Sequence, residues 1–166
     1  MIKQLTCKEI KDYLKSNPKS VLLDVRTQEE WDNVGKPDGD KIGLRTYFLE
    51  IRRSTSFDFL QEFKNLNINH DEEILVICKS GERSQISAEL LSRENYKSVN
   101  ISDGFEGSQE GAGWKSCDLP IQLIKTLLAW IIQNISNKYL IMQEMILLDP
   151  DKIQPSPIQC QTYQSL

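Results

Sequence analysis

The chain has 166 residues and a formal net charge of −4 at pH 7. This length suits one domain with a full hydrophobic core and an extension. The negative charge argues against nucleic acid or an anionic membrane surface as the main partner. The four cysteines form no C-x-x-C pair and none stands beside the single histidine, so we expect no metal site and no cofactor.

The cysteine content and the N-terminal residues bear on the compartment. The first residues lead into a charged segment and lack the apolar run of a secretory signal. A reactive thiol in such a chain fits a reducing compartment, so we expect a cytoplasmic protein. The most apolar stretch, in the C-terminal part, is interrupted by polar residues and is too short for a membrane span of ~20 apolar residues.

Two capping boxes start the first two predicted helices. Thr6 and Glu9 open an amphipathic helix, and Thr27 and Glu30 open a second, shorter one. The apolar run Val21–Val25 between them predicts a buried strand.

The same alternation continues along the chain. Leu44–Ile51 could form a strand, Ser56–Leu66 has the spacing of a helix, and Ile74–Ile77 is a continuous aliphatic run typical of a strand covered on both faces. A helix follows from Ser84, and Val99–Ile101 is a plausible last strand. Strands separated by helices predict an α/β fold with a parallel sheet of about five strands and helices on both faces.

A cysteine at the end of the central strand is the strongest candidate for chemistry. Cys78 follows the aliphatic run, and Ser84 can cap the helix that begins after the loop. Backbone N–H groups of the loop could curl around the sulfur at the positive end of that helix and stabilise a thiolate, with Lys79 and Arg83 as nearby cations. The loop consists of Lys79, Ser80, Gly81, Glu82 and Arg83.

Topology predicts which other side chains lie near Cys78. Asp24 and Arg26 also follow a strand, and the carboxyl ends of parallel strands share one edge of a sheet, where ligands bind. We therefore expect both on the rim that carries Cys78. His70 precedes the central strand, at the opposite end, so a Cys–His dyad is not expected.

Three segments together resemble a known family. Residues 78–84, Cys-Lys-Ser-Gly-Glu-Arg-Ser, resemble the active-site loop C-R-x-G-x-R of rhodanese-type sulfurtransferases. The D-x-R pattern at 24–26 with Glu30-Trp31, and the glycine-rich segment from Asp103 to Trp114, are similar to two further signatures of that family. The resemblance spans about residues 3–120, although the loop at 33–43 departs from the usual G-H-I-P-G-A.

This resemblance implies a rhodanese-like fold and a double displacement reaction. The Cys78 thiolate would take the outer sulfur of a small donor, thiosulfate or a persulfide, and pass it to a thiol or cyanide. Residues 79–84 would bind the substrate, and Asp24 and Arg26 would support the rim. Glu82 reduces the formal charge of the loop to +1, so a protein persulfide could be a better donor than thiosulfate.

Two alternatives stay open. Phosphatases of the same fold use C-x5-R, whereas Arg83 stands five positions after Cys78 in a C-x4-R loop, which is tighter and suits a terminal sulfur better than a phosphoryl group. Rhodanese-like domains also occur as catalytically silent binding or regulatory modules. These usually lack the cysteine, so its presence favours an enzyme.

The C-terminal part is not covered by the resemblance. We divide the chain into a rhodanese-like domain at 1–120, an amphipathic helical extension at 121–148 and a disordered tail at 149–166. The apolar face of the extension should pack on the domain, on a second copy in a dimer or on a protein partner.

Overall fold

The structure, a computed structural model, describes residues 1–51 and 56–122, together with 135, 136 and 138. The chain divides into two units, Met1–Ile124 and Lys125–Leu166. Within the second unit the three described residues are helical. The proposed helical extension and disordered tail otherwise lie outside the described residues.

The described part of the first unit alternates strands and helices. The strands are β1 (Lys3–Leu5), β2 (Ser20–Asp24), β3 (Lys36–Pro37), β4 (Arg45–Phe48), β5 (Glu73–Ile77), β6 (Lys97–Ile101) and β7 (Ile121–Gln122). The helices are α1 (Ile10–Ser16), α2 (Gln28–Val34), α3 (Ser56–Lys64) and α4 (Glu82–Arg93). Short 3₁₀ turns lie at Cys7–Glu9, Gly39–Ile42 and Trp114–Ser116.

A five-stranded sheet in the order β1-β6-β5-β2-β4 forms the centre of the unit. All of its neighbouring strands are parallel, with Leu23 beside Val76 and Asp24 beside Ile77. The predicted α/β fold with a parallel sheet of about five strands is therefore confirmed. The register also brings the residues after β2 and β5 to one edge, where the Val25 N–H donates to the Ile77 carbonyl at 2.9 Å.

Both faces of this sheet are buried. Leu75 and Ile77 of β5 pack in a cluster with Ile10 of α1, whereas Ile74 and Val76 pack on the other face with residues of α3 and α4. Alternation along an extended strand explains the division, because successive side chains point to opposite faces. An aliphatic residue at every position of the run Ile74–Ile77 is therefore what this sheet requires.

Several element boundaries differ from the sequence-based expectations. Strand β1 was not predicted, since three residues at a sheet edge carry no readable pattern. Helix α4 begins at Glu82 rather than at Ser84. Ile121 and Gln122, expected to start a helix, instead form β7, which pairs antiparallel with β3. The preceding Pro120 carbonyl accepts hydrogen bonds from the Asp38 N–H and the Trp114 indole, both at 2.9 Å, which fix the chain in an extended course.

Both predicted capping boxes are confirmed. Glu9 accepts from the Thr6 N–H at 2.8 Å, and Glu30 accepts from the Thr27 N–H at 2.9 Å.

As for membranes, none of the helices in the described ranges is long and apolar enough to cross one.

Candidate active site

Cys78 lies directly after β5 and is 1% exposed. Its sulfur accepts a hydrogen bond from the Gly81 N–H at 3.2 Å, and the Ser84 hydroxyl oxygen lies 3.3 Å from it. Because α4 begins at Glu82, the sulfur sits beside the N-terminal turn of a twelve-residue helix. These groups favour negative charge on the sulfur.

A left-handed turn at Gly81 sets this geometry. Gly81 has φ of 97° and is the N-cap of α4. A Cβ atom here would overlap the carbonyl oxygen of Ser102, so both the backbone angle and the available space require glycine. The turn directs the Gly81 N–H at the sulfur and starts the helix one residue later.

The expected capping role of Ser84 is wrong, and the side chain has a different position. Ser84 is the third residue of α4, fully buried, and its hydroxyl lies 3.0 Å from the Gly81 carbonyl and 3.3 Å from the Cys78 sulfur. A hydroxyl has one proton to donate. With a thiol it can donate to the carbonyl and accept from the S–H, whereas with a thiolate it can turn and donate to the sulfur.

The segment after β6 holds the loop from behind. The N–H groups of Phe105 and Glu106 donate to the carbonyls of Cys78 and Lys79 at 2.8 and 3.0 Å. Asp103 is fully buried and accepts from the N–H groups of Cys7 and Gly113 at 2.9 and 3.0 Å. The glycine-rich segment therefore connects the cysteine loop to the N-terminal part of the chain.

Arg83 does not present the free cation that the sequence suggested. Its two terminal nitrogens donate to the two Glu30 carboxylate oxygens at 2.8 and 2.6 Å. Partial burial would raise the pKa of Glu30, but the hydrogen bonds from Arg83 and from the Thr27 backbone outweigh it and lower this pKa to about 2. The same pair raises the pKa of Arg83.

The remaining charges of the loop are Lys79 and Glu82, both exposed. Within the loop and its partner Glu30, the two cations Lys79 and Arg83 therefore balance the two carboxylates Glu82 and Glu30. Sequence reasoning missed Glu30 as a site residue. Its position before Trp31 was noted as part of a signature, but it lies 53 positions from Arg83 in the chain, so the sequence offered no sign of the contact.

Asp24 and Arg26 lie on the same rim, as expected, but both are fully buried. The Arg26 guanidinium donates to the Asp24 carboxylate at 2.8 Å and to the Gly35 carbonyl at 2.9 Å. It also stacks on the Phe105 ring at 3.8 Å. Since the Phe105 N–H binds the Cys78 carbonyl, this pair contacts the loop through Phe105, and its supporting role stays a prediction.

Among the described residues, the other cysteines and the histidine do not compete with Cys78 as nucleophile or base. Burial and the neighbouring Asp103 raise the pKa of Cys7, and the same two causes raise that of Cys117. His70 precedes β5 at its other end, where its ring stacks on Tyr96 at 4.0 Å. A Cys–His dyad is therefore excluded for Cys78.

Comparison with known proteins decides the family. The family model for the rhodanese-like domain matches residues 6–110. The chain belongs to the rhodanese-like domain family. Two curated relatives of this rhodanese-like chain are uncharacterized proteins of Rickettsia, both 41% identical. The alignment with RP600 of Rickettsia prowazekii spans 108 residues and covers 64% of this chain and 85% of RP600. The alignment with its Rickettsia rickettsii homolog spans 115 residues and covers 67% of this chain and 89% of that protein.

Solved structures agree with this assignment. Rv0390 from M. tuberculosis is 32% identical with a TM-score of 0.60, and the match covers 72% of this chain and 96% of that one. A rhodanese-like domain protein from Staphylococcus aureus is 20% identical with a TM-score of 0.52 and shows the same fold. That match covers 75% of this chain and 100% of the other.

The Gly81 turn leads to a stability prediction. Gly81→Ala should lower the free energy of unfolding by more than about 3 kcal/mol, because a left-handed alanine costs roughly 1–2 kcal/mol and the overlap with Ser102 adds to it. Gly43→Ala is the matched control, since Gly43 also has positive φ (76°) but its Cβ would meet nothing within 4 Å. If urea unfolding shows equal losses of unfolding free energy in Gly81→Ala and Gly43→Ala, the contact with Ser102 is unimportant.

The Ser84 hydroxyl should control the reactivity of the thiol. Ser84→Ala removes a hydrogen bond to the thiolate, worth about 1.5 kcal/mol, so alkylation of Cys78 by iodoacetamide at pH 7 should slow about tenfold. Ser87→Ala is the control, because its buried hydroxyl donates to the Arg83 carbonyl at 2.9 Å instead. Equal alkylation rates in wild type and Ser84→Ala would refute this role.

The Glu30–Arg83 pair should make stability pH-dependent. The pKa of Glu30 falls from an ordinary 4.5 to about 2 on folding, so its contribution is complete above pH 4.5 and lost as pH falls through about 2. The stability difference between wild type and Glu30→Gln should therefore shrink over that interval in acid titrations of urea unfolding. Glu29→Gln, at the exposed neighbouring position, is the charge-matched control, and a pH-independent difference for Glu30→Gln would contradict the assignment.

Proposed function

We propose that this protein is a sulfurtransferase that carries sulfur on Cys78 as a persulfide. The observation that supports it best is the sulfur environment itself, with the Gly81 N–H at 3.2 Å, the Ser84 hydroxyl at 3.3 Å and the first turn of α4. This environment favours an anionic sulfur, which is the form that both attacks a donor and results from loading. Membership of the rhodanese-like family supports the same chemistry.

Two displacements make up the proposed reaction. The Cys78 thiolate attacks the outer sulfur of thiosulfate, the S–S bond of the donor breaks, and sulfite leaves with the bonding electron pair. With a persulfide donor, the leaving group is the corresponding thiolate. The acceptor, cyanide or a thiolate, then attacks the outer sulfur of the Cys78 persulfide and restores the Cys78 thiolate.

Burial of Cys78 is compatible with the second step. Because an S–S bond is about 2 Å long, the outer sulfur of a persulfide extends beyond the buried Cys78 sulfur by roughly that distance. An acceptor therefore has to reach the mouth of the loop and not the 1% exposed thiol. Loading of the thiol itself requires a donor that can approach more deeply or a small opening of the loop.

The charge of the rim favours a particular donor class. With Arg83 held by Glu30 and the formal charge of Lys79 offset by that of Glu82, the described residues of the loop offer no net positive charge to attract a dianion such as thiosulfate. A protein persulfide needs no such charge. We infer that a protein persulfide is the better donor. In the reducing cytoplasm that we propose as the compartment, Cys78 would be a free thiol and available for loading.

Phosphate-ester hydrolysis is less well supported. The C-x4-R loop is one residue shorter than that of the phosphatases. In addition, the two Arg83 nitrogens that would bind equatorial phosphate oxygens are engaged by Glu30 at 2.8 and 2.6 Å. A binding or regulatory module is the stronger alternative, and the low exposure of the cysteine is the observation in its favour.

Formation of thiocyanate tests the proposal. Wild-type protein supplied with cyanide should release thiocyanate from a protein persulfide donor, and more slowly from thiosulfate, because of the rim charge. Cys78→Ser should abolish the product and Cys117→Ser should retain it, since Cys117 carries no sulfur in this scheme. If neither donor gives thiocyanate above the Cys78→Ser background, the sulfurtransferase proposal is wrong and the module alternative stands.

A further inference from the structure

A polar cleft borders the cysteine loop on its outer side. It has a volume of about 810 Å³ and lies between the ends of β1 and β6, the first turns of α4 and the segment from Ser102 to Glu110. Ser80, Gly81 and Glu82 form its wall toward the site. Gly81 thus faces the cleft while its N–H binds the Cys78 sulfur, so the backbone of the loop would separate an occupant from that sulfur. Its other lining residues include Gln4, Gln85, Asn100, Ser102 and Glu110.

A chain of amide side chains crosses this polar cleft. The Asn100 amide donates to Gln4 at 2.8 Å, Gln4 to Gln85 at 2.7 Å, and Gln85 to the Glu89 carboxylate at 2.7 Å. The Glu89 carboxylate accepts only, so it fixes the direction of every donor in the chain. Each bond in such a chain polarises the next, which makes the oxygen at the inner end a stronger acceptor.

That inner oxygen has no hydrogen-bond partner among the residues that the structure describes. Asn100 is 3% exposed, and its Oδ1 atom is buried. A buried acceptor without a partner is costly, and native structures contain few of them. Because Asn100 lines the cleft, a turn of its side chain would let the N–H donor of an occupant reach this oxygen and remove that cost.

The charge of the cleft restricts its occupant. Among the described residues that line the cleft, Glu82 and Glu110 are the charged ones and none is a cation. Neither carboxylate takes part in a salt bridge within the part of the chain that the structure describes. A complementary group therefore carries positive charge and several N–H donors, as a guanidinium does with its five donors in a planar fork.

We propose that the polar cleft binds an arginine side chain of the protein that exchanges sulfur with Cys78. This inference rests on the proposed function and specifies its partner class. The cleft is larger than a single guanidinium needs, and its serine and glutamine side chains can bind the peptide backbone around the arginine. Bound there, the partner lies against Ser80–Glu82, so its thiol or persulfide can reach the mouth of the loop.

The direct test measures peptide binding to a variant that cannot carry sulfur at position 78. Full-length Cys78→Ser protein, labelled with ¹⁵N, is titrated with the peptide acetyl-Ser-Gly-Gly-Arg-amide and with its Gln twin. The arginine peptide should shift the amides of Gln85, Ser102 and Glu110, and bind about three- to tenfold more tightly, as expected for interaction with two exposed carboxylates. Shifts elsewhere, or equal affinities, would overturn the proposal.

Variants separate the cleft from general electrostatics. The double change Glu82→Gln and Glu110→Gln should remove the preference for arginine, whereas Glu62→Gln on α3, which removes one negative charge away from the cleft, should retain it. Asn100→Leu should also remove the preference while raising the urea midpoint, because it deletes an unpartnered buried acceptor. A preference that persists in both cleft variants would refute the assignment.

Two further comparisons distinguish a small guanidinium compound from an arginine of a protein, and the cleft proposal from the proposed function. If free argininamide binds as tightly as the peptide, the occupant is a small molecule and the assignment to a protein partner is wrong. If peptide binding is absent while thiocyanate forms, the cleft proposal fails and the sulfurtransferase stands. If the peptide binds while thiocyanate never forms, the cleft takes arginine but sulfur exchange with that partner is refuted.

Discussion

The left-handed turn at Gly81 is the constraint on which the site depends. Its backbone packs against the Ser102 carbonyl, its N–H reaches the Cys78 sulfur at 3.2 Å, and α4 starts at the following residue. No other residue type meets the angle and the close approach together. Strand β5 delivers the cysteine to the edge of the sheet, and this turn converts a buried strand end into a place for an anionic sulfur.

The charges around this turn are balanced, and the balance shapes the function. Arg83 and Glu30 hold each other in a bidentate pair, and Asp24 and Arg26 form a buried pair that stacks on Phe105. The sulfur therefore contacts a backbone N–H and one hydroxyl, and the nearest full charges are paired with one another. On the proposed function, such a site would discriminate between donors less by charge than by shape, which would favour a macromolecular partner over a small dianion.

Local patterns predicted the sheet and the loop because the relevant residues are consecutive. The run Ile74–Ile77 has an aliphatic side chain at each position, as a strand buried on both faces needs, and Cys78 follows directly. Contacts between distant residues could not be predicted in this way. Glu30 and Arg83 are 53 positions apart, and Gln4 and Asn100 are 96 apart. The start of α4 was misplaced because Ser84 is a good capping residue, while the left-handed Gly81 took that position.

The most direct test of the central claim is to locate the transferred sulfur on the chain. The reduced full-length protein is treated with a persulfide donor, its remaining thiols are alkylated, and its peptides are examined by mass spectrometry. Our account predicts one additional sulfur atom on the peptide that contains Cys78, removable by cyanide, with the other three cysteines recovered as free thiols. Sulfur on any of those three while Cys78 remains unmodified would contradict it.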